Sequence, residues 1–302
     1  MQEPAYKPGN PAKETTKKIT QESIINAFSV DVEGFVESNL QSFHIPDKYI
    51  DRHKENSEIE ENVEVLLQIL HEANTKGTFF FVGRLAQDIP SLVKKVAQAG
   101  HEIGCHNYLH IRIFDIPQKV FKEKLAAAKK ELEDISGKPV YGFRAPDFSI
   151  TNSSIWALDV LKEVGFVYDS SIYPFGFHDV YGIKNVNAFI HKFPNGLIEF
   201  PLSTAELLGQ RIPFGGGGYF RLYPLWLTKY FITRLNKRNI PFMLYIHPYE
   251  AGPVIPRISE MSLYRKFRHY YHCKNGNKRV KQLLKVIKFA PAINVLRETD
   301  VF

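Results

Sequence analysis

The chain has 302 residues, 44% apolar, 13% aromatic and 24% charged, a balance that excludes an intrinsically disordered polypeptide and supplies a full α/β core. No apolar run approaches the ~20 residues of a membrane-spanning helix. The net charge of +7 is concentrated: residues 257–288 hold ten Lys/Arg against the single acid Glu260, leaving 29 basic and 31 acidic residues elsewhere.

The N-terminal MQEPAYKPGNPAKETTKK has no apolar stretch behind its charges, so residues 1–22 read as a polar, disordered arm and not as a secretory signal. Two widely separated cysteines, Cys105 and Cys273, imply no disulfide framework. The expected location is therefore the cytoplasm or the cytoplasmic surface of a membrane. After the arm, IINAFSV reads as a buried strand. Residues 57–74 read as an amphipathic helix, with Ile59, Val63, Leu66, Leu67 and Leu70 on one face and Ser57 with Glu60 as a capping box. GTFFFVG is a strand, 84–99 a helix closed at Gly100, HEIGC a strand, 117–136 a helix closed at Gly137, and VYGF a strand. A helix over 152–164, strands FVYD and LIEFP, a helix over 223–238, the strand FMLYIH and a basic helix over 277–289 complete the series.

Strands alternating with helices imply βαβ units around a mainly parallel sheet. About seven units without a linker favour a closed, distorted (β/α) barrel over an open sheet, in one domain over 23–302 with a core of 25–250 and a C-terminal extension of 251–302. No GxGxxG follows the first strand, which argues against a dinucleotide fold. The basic extension reads either as a solvated surface or as a face approaching a membrane, a lipid-linked sugar phosphate or an acidic glycan. No nucleic-acid motif accompanies it.

Ionisable residues recur where strands end: Asp31 and Glu33 after the first, His106 and His110 after HEIGC, Arg144 after VYGF, Asp169 at the end of FVYD, His247 at the end of FMLYI. In a parallel barrel these positions share the C-terminal rim, where active sites form. On a helical turn the i, i+4 histidines of HNYLH would share a face. With Asp31 or Glu33 they make two imidazoles and a carboxylate, a metal site with open positions for water and substrate. The second carboxylate of SVDVEG is then available as a general base. In RAPDF, Arg144 suits a carboxylate partner, and the turn stiffened by Pro146 could aim the N–H groups of Asp147 and Phe148 at an oxyanion. His247 suits a general acid. Gly215–Gly218 read equally as a close approach of backbone to a sugar or as a mobile loop. Tyr219, Phe220 and Arg221 beside them are candidates to stack on or bond to that sugar.

Taken together, SVDVEG, HNYLH, RAPDF, YDSS and LYIH resemble, in order, the five motifs of the polysaccharide deacetylases (NodB homology, carbohydrate esterase), over about residues 25–250. GGGGYFRLYP, IHPYE and FRHYYH look like an exopolysaccharide deacetylase subfamily with a C-terminal extension. The resemblance implies a NodB-type barrel and hydrolysis of N-acetyl groups on a glycan. It implies Asp31 as base, and Glu33, His106 and His110 as ligands of one divalent ion, with zinc the default. Arg144 would orient Asp31, Asp169 would orient the acid His247, and the N–H near Asp147 would complete the oxyanion site. The first motif departs from the family's adjacent Asp-Asp by reading Asp-x-Glu, Asn107 replaces the usual Ser or Thr, and the fourth motif lacks its tryptophan. Two other readings share these residues: a small-amide hydrolase of allantoinase or deformylase type, and a glycan-binding protein with a decayed site.

Overall fold

The alternating strand pattern builds a curled parallel sheet. In this computed structural model, residues 24–176, 182–184, 186–207 and 209–302 are described; the arm expected over 1–22 lies outside them. The strands are β1 (Asn26–Val32), β2 (Thr78–Phe81), β3 (Glu102–Cys105), β4 (Gly142–Phe143), β5 (Tyr168–Asp169), β6 (His191–Lys192), β7 (Ile198–Glu199), β8 (Thr204–Leu207), β9 (Gln210–Pro213), β10 (Met243–Ile246) and β11 (Phe289–Ala290). The helices are α1 (Phe35–Asn39), α2 (Arg52–Glu72), α3 (Arg84–Asp88), α4 (Pro90–Gln98), α5 (Gln118–Ser136), α6 (Ala157–Val164), α7 (Gly217–Leu222), α8 (Leu225–Asn236), α9 (Pro248–Ala251), α10 (Leu263–Tyr270), α11 (Gly276–Leu284) and α12 (Ala292–Arg297). The main sheet runs β10-β1-β2-β3-β4-β5-β7-β6, with β11 also against β1, and only the β6–β7 pair is antiparallel. β8 and β9 form a separate hairpin. The expected barrel is thus a half-barrel, whose described hydrogen-bonded path ends at β10 and β6 without joining them.

Strand alternation divides the core in two. Outward residues such as Phe28, Val30, Phe79, Phe81, Ile103 and Phe143 pack with the helices in one large apolar layer. Inward residues Ala27, Phe80, Tyr168, Ile198 and Met243 fill the interior, and α12 plugs its lower end with Ala292, Ile293, Val295 and Leu296. The plug is tied in by Glu102, whose carboxylate accepts from Thr78 Oγ1 (2.6 Å), Tyr168 OH (3.0 Å) and the Ile293 N–H (3.1 Å). Gly104 faces inward too; a Cβ there would lie 2.4 Å from the Phe80 ring, so its missing side chain makes room for that phenyl.

Several boundaries differ from expectation for local reasons. The first long helix starts at Arg52, capped by Asp51 accepting from the Lys54 N–H at 3.0 Å, so Ser57 and Glu60 lie inside it and form no capping box. Pro90 splits 84–99 into α3 and α4, and Pro224 separates α7 from α8. Gly137 ends α5 in the left-handed conformation at φ 64°. The basic helix is α11, ending at Leu284 before β11 returns to β1. Among the described residues no helix is long and apolar enough to cross a membrane.

Candidate active site

Register gathers the polar residues at one end of the barrel. One continuous row of pairs runs Val32–Phe81–Cys105–Phe143–Asp169–Glu199. Residues one step past it, Glu33, His106, Arg144 and Ser170, emerge together on the inward face. Asp31 lies one step before it, and because Val30 pairs with Ile246, Asp31 is level with His247. Above this row opens a cavity of about 790 Å³ lined by Asp31, Glu33, His106, His110, His247 and, from the C-terminal segment, Tyr264, Arg265, Phe267, Arg268, His269 and Tyr271.

Glu33, His106 and His110 form a buried cluster in which one ligand atom from each lies within 4.8 Å of the others. Glu33 Oε2 is 2.9 Å from Nε2 of both histidines. The histidines do not share a helical turn as expected; Asn107 takes φ 62° directly after His106, and the loop returns His110 to the same point. His106 Nδ1 lies 2.8 Å from the Arg144 carbonyl. A carbonyl only accepts, so Nδ1 carries the proton and a neutral His106 aims its Nε2 lone pair at the Glu33 oxygen. That arrangement demands a positive charge between them, either a proton or a metal ion. Without a metal, burial pushes the Glu33 carboxyl up, but His110 and His106 pull harder and hold it well below its ordinary range. Burial likewise lowers the His110 imidazole, and Glu33 overrides this and raises it to about 9. Two imidazoles and one carboxylate are the donor set of a catalytic divalent site, and the residues present fit such an ion.

Asp31 stands beside this cluster with its Oδ1 accepting from Arg144 Nη1 at 2.6 Å. Arg144 is wholly buried, over the Phe80 ring at 4.3 Å, and also donates to Ser29 Oγ (2.8 Å), Ser170 Oγ (2.9 Å) and the Ser170 carbonyl (3.1 Å). Four of its five N–H donors are engaged, which fixes the guanidinium against Asp31. At the RAPDF turn, Asp147 and Phe148 take φ 51° and 50°, left-handed conformations that are costly for a phenylalanine. The Phe148 N–H is taken by the Ala145 carbonyl at 3.0 Å, and the Asp147 carboxylate by Arg112 Nε at 2.7 Å.

His247 is partly exposed in the cavity, its Nε2 3.3 Å from Glu33 Oε1 and its ring stacked on Tyr249 at 5.1 Å. The residue that orients it is not Asp169. Among the described residues no hydrogen bond or ion pair joins those two. Asp169 accepts from Ser171 Oγ at 2.5 Å and is the register partner of Glu199, a second buried carboxyl. Burial drives both upward, Asp169 to about 6 and Glu199 well above the carboxylate range, because two enclosed carboxyls cannot both ionise. Glu250 is the partner of His247: Oε2 lies 3.0 Å from Nδ1 and accepts from the His247 N–H at 2.9 Å. Arg221 Nε donates to Glu250 Oε1 at 2.7 Å. Burial depresses the His247 imidazole, but Glu250 and then Glu33 outweigh it and raise it to about 9. Arg221 and His247 keep Glu250 ionised at about 2 against its own burial.

Arg221, expected to bond a sugar, lines the cavity but is 4% exposed and engaged as a strut. Besides Glu250 it donates to the Tyr271 and Arg268 carbonyls at 2.8 and 3.2 Å. Tyr219 does line the cavity. The glycine run is explained by close packing: a Cβ on Gly216 would lie 1.9 Å from the Tyr245 carbonyl, where the chain bridges to β10. Glu250 and Glu199 went unread in the sequence, although His-Pro-x-Glu has the spacing of a capping box and LIEFP places one acid in an apolar strand. Cys105 is a buried core residue, its thiol pushed up to about 12 by burial, and both cysteines are free.

Residues 50–168 match the family Polysaccharide deacetylase, and residues 170–297 match a second family, Domain of unknown function (DUF3473). Chitooligosaccharide deacetylase from Azorhizobium caulinodans is 33% identical over 99 residues, 32% of this chain and 46% of that protein. Peptidoglycan-N-acetylglucosamine deacetylase from Bacillus cereus is 28% identical over 95 residues, 31% of this chain and 34% of that protein. The matches thus span less than half the length of these curated relatives. A Mycobacterium smegmatis structure described as a polysaccharide deacetylase superposes with a TM-score of 0.64 at 20% identity, covering 95% of this chain and 93% of that one. Puue allantoinase gives 0.60 at 16% identity, covering 92% of each, so the likeness in both cases is one of fold. The chain therefore carries a polysaccharide deacetylase domain of the NodB type, continued by a C-terminal region of the DUF3473 family.

Proposed function

We propose that the protein is a divalent-metal-dependent hydrolase that removes N-acetyl groups from amino sugars of a glycan. The observation that carries this reading is the buried cluster of Glu33, His106 and His110, with a carbonyl fixing the tautomer of His106, beside a carboxylate held by an arginine. The names of the curated relatives, deacetylases of chitooligosaccharide and peptidoglycan N-acetylglucosamine, support the substrate class.

Glu33, His106 and His110 would hold the ion, and zinc suits a donor set of two nitrogens and one oxygen. When bound, such an ion polarises an amide carbonyl and acidifies water. The remaining chemistry belongs to the chain. Asp31, locked by Arg144, takes a proton from the attacking water as the new C–O bond forms. The Asp147 N–H in the strained RAPDF turn is the candidate donor to the oxyanion, since that of Phe148 is already spent. His247, charged through Glu250, gives its proton to the amine as the C–N bond breaks, so that water and acetamide become acetate and a free amino group.

The test combines elemental analysis with acetate release from chito-oligosaccharides and peptidoglycan fragments. Asp31→Asn is expected to keep the full metal complement while losing activity by about 10²-fold or more. His106→Ala is expected to lose the metal. A His106→Ala protein with undiminished metal would refute the ligand assignment, and an active Asp31→Asn would remove the base. Hydrolysis of small amides with none of glycans would redirect the same site to an allantoinase-like reaction.

A further inference from the structure

We propose that the C-terminal segment gives the cavity an anion-selective wall, so that the glycan it admits is acidic, carrying carboxylates near the acetamido sugar. The reaction in this statement rests on the deacetylase reading; the recognition does not.

Charge is segregated in the chain. Residues 257–288 contribute ten Lys/Arg and one acid, whereas the rest is close to neutral. That segment is not remote from the chemistry: Tyr264, Arg265, Phe267 and Arg268 of α10 line the same cavity as Asp31 and His247. A helix kept only for the fold buries one face, yet α10 buries no residue. Tyr264 is 71% exposed and Phe267 52%.

The cavity's own carboxylates are already matched. Asp31 has Arg144, Asp147 has Arg112, Glu250 has Arg221, and Glu33 has the histidines. Arg265 has no such partner among the described residues: its guanidinium stacks over Phe43 at 4.9 Å and reaches only the Ser42 carbonyl, at 3.5 Å. A cation lining the same cavity as Asp31 and His247, with the exposed rings of Tyr264 and Phe267 on the same helix, suits a sugar ring stacked on Tyr264 or Phe267 with its carboxylate toward Arg265. A lipid surface fits less well. Of the large apolar side chains of α10, Tyr264 and Phe267 line the cavity and Tyr270 stacks on Phe35 at 5.7 Å, which leaves only Leu263 pointing to neither.

The experiment is calorimetric binding to the metal-free full chain, where turnover plays no part. The probes are a hyaluronan octasaccharide, which alternates N-acetylglucosamine with a uronate, and the chito-oligosaccharide of the same length. The acidic oligomer is expected to bind about 10-fold or more tightly than the neutral one at low salt, and the advantage should shrink severalfold near 0.5 M salt, where exposed charges are screened. Arg265→Ala should erase most of the preference; the residue is exposed, so the fold is not at stake. Equal affinities, an absence of binding, or a preference indifferent to salt and to Arg265 would each overturn the proposal. Co-sedimentation with phosphatidylserine vesicles without saccharide preference would assign α10 to membranes and overturn it too. If the acidic oligomer is preferred but neither oligomer releases acetate from the metal-loaded protein, the deacetylase reading fails and the anion-selective wall survives.

Discussion

His247 is held by a carboxylate three residues along its own chain, with the imidazole at the N-cap of α9 and Glu250 at its third position. The arrangement costs no long-range closure, because the turn that presents the histidine also presents its partner. Its sign can be tested without touching the imidazole. Glu250→Gln keeps shape but removes the charge that holds His247 protonated, and kcat for acetate release is expected to fall about 10²-fold. Glu250→Asp should recover less than the parent rate, since Arg221 and His247 must then share a shorter reach. At this scale much of the site was legible. The strand-end positions of Asp31, Glu33, His106, His110, Arg144 and His247 announce themselves because apolar runs break there. The Glu250–His247 pairing was not, and the expected Asp169–His247 pair does not form, because a motif order carries no information about which acid a loop turns toward; Asp169 sits in register with Glu199, a neighbour that only sheet topology reveals.

The elements follow local rules where those rules are strong. β1, β2, β3 and β10 are fully buried; β2 and β10 read as apolar runs, while β1 and β3 interleave buried polar residues with their apolar ones. β6, β8 and β9 are short, partly exposed and polar, and nothing in TAEL or QRIP marks a strand. α10 escaped notice although Leu263, Phe267 and Tyr270 fall at helical spacing, since a run of basic and aromatic residues stands between them. Two substitutions probe how elements are locked together. Gly216→Ala drives a Cβ into the Tyr245 carbonyl and should cost about 2–4 kcal/mol in urea unfolding, since backbone must move on both sides. Glu102→Ala strands Thr78, Tyr168 and the Ile293 N–H without their acceptor, and a loss of about 2–4 kcal/mol is expected. An unchanged urea midpoint in either variant would show that the contact is slack.

On the scale of the whole molecule, acid should loosen the fold before it silences individual carboxylates. His101 is buried with Nδ1 accepting from the Gly77 N–H at 3.1 Å, a bond that requires the neutral ring. Burial, with Lys76 and Lys138 nearby, lowers its pKa from 6.5 to about 4. A histidine depressed in the folded state adds stability that is fully present above its unfolded pKa and is lost as pH falls through the folded one. The window is therefore pH 6.5 down to about 4, with about 3 kcal/mol at stake. Urea unfolding across that range should show the loss in the parent and a flatter profile in His101→Gln; parallel profiles would acquit His101. The C-terminal region is equally part of the whole, because β11 lies against β1 and α12 fills the interior. A chain ending at residue 250 is expected to be recovered only as aggregate.

β1 has its neighbours at opposite ends of the gene product. One flank meets β10, more than two hundred residues on; the other meets β2, some fifty residues on, and below it β11, near residue 290. During synthesis the strand bearing Asp31 emerges early and stays half-paired until β10 has followed it. A polypeptide that stops short of β10 thus cannot set that aspartate opposite His247, and the proposed base and acid meet only once that late strand has docked.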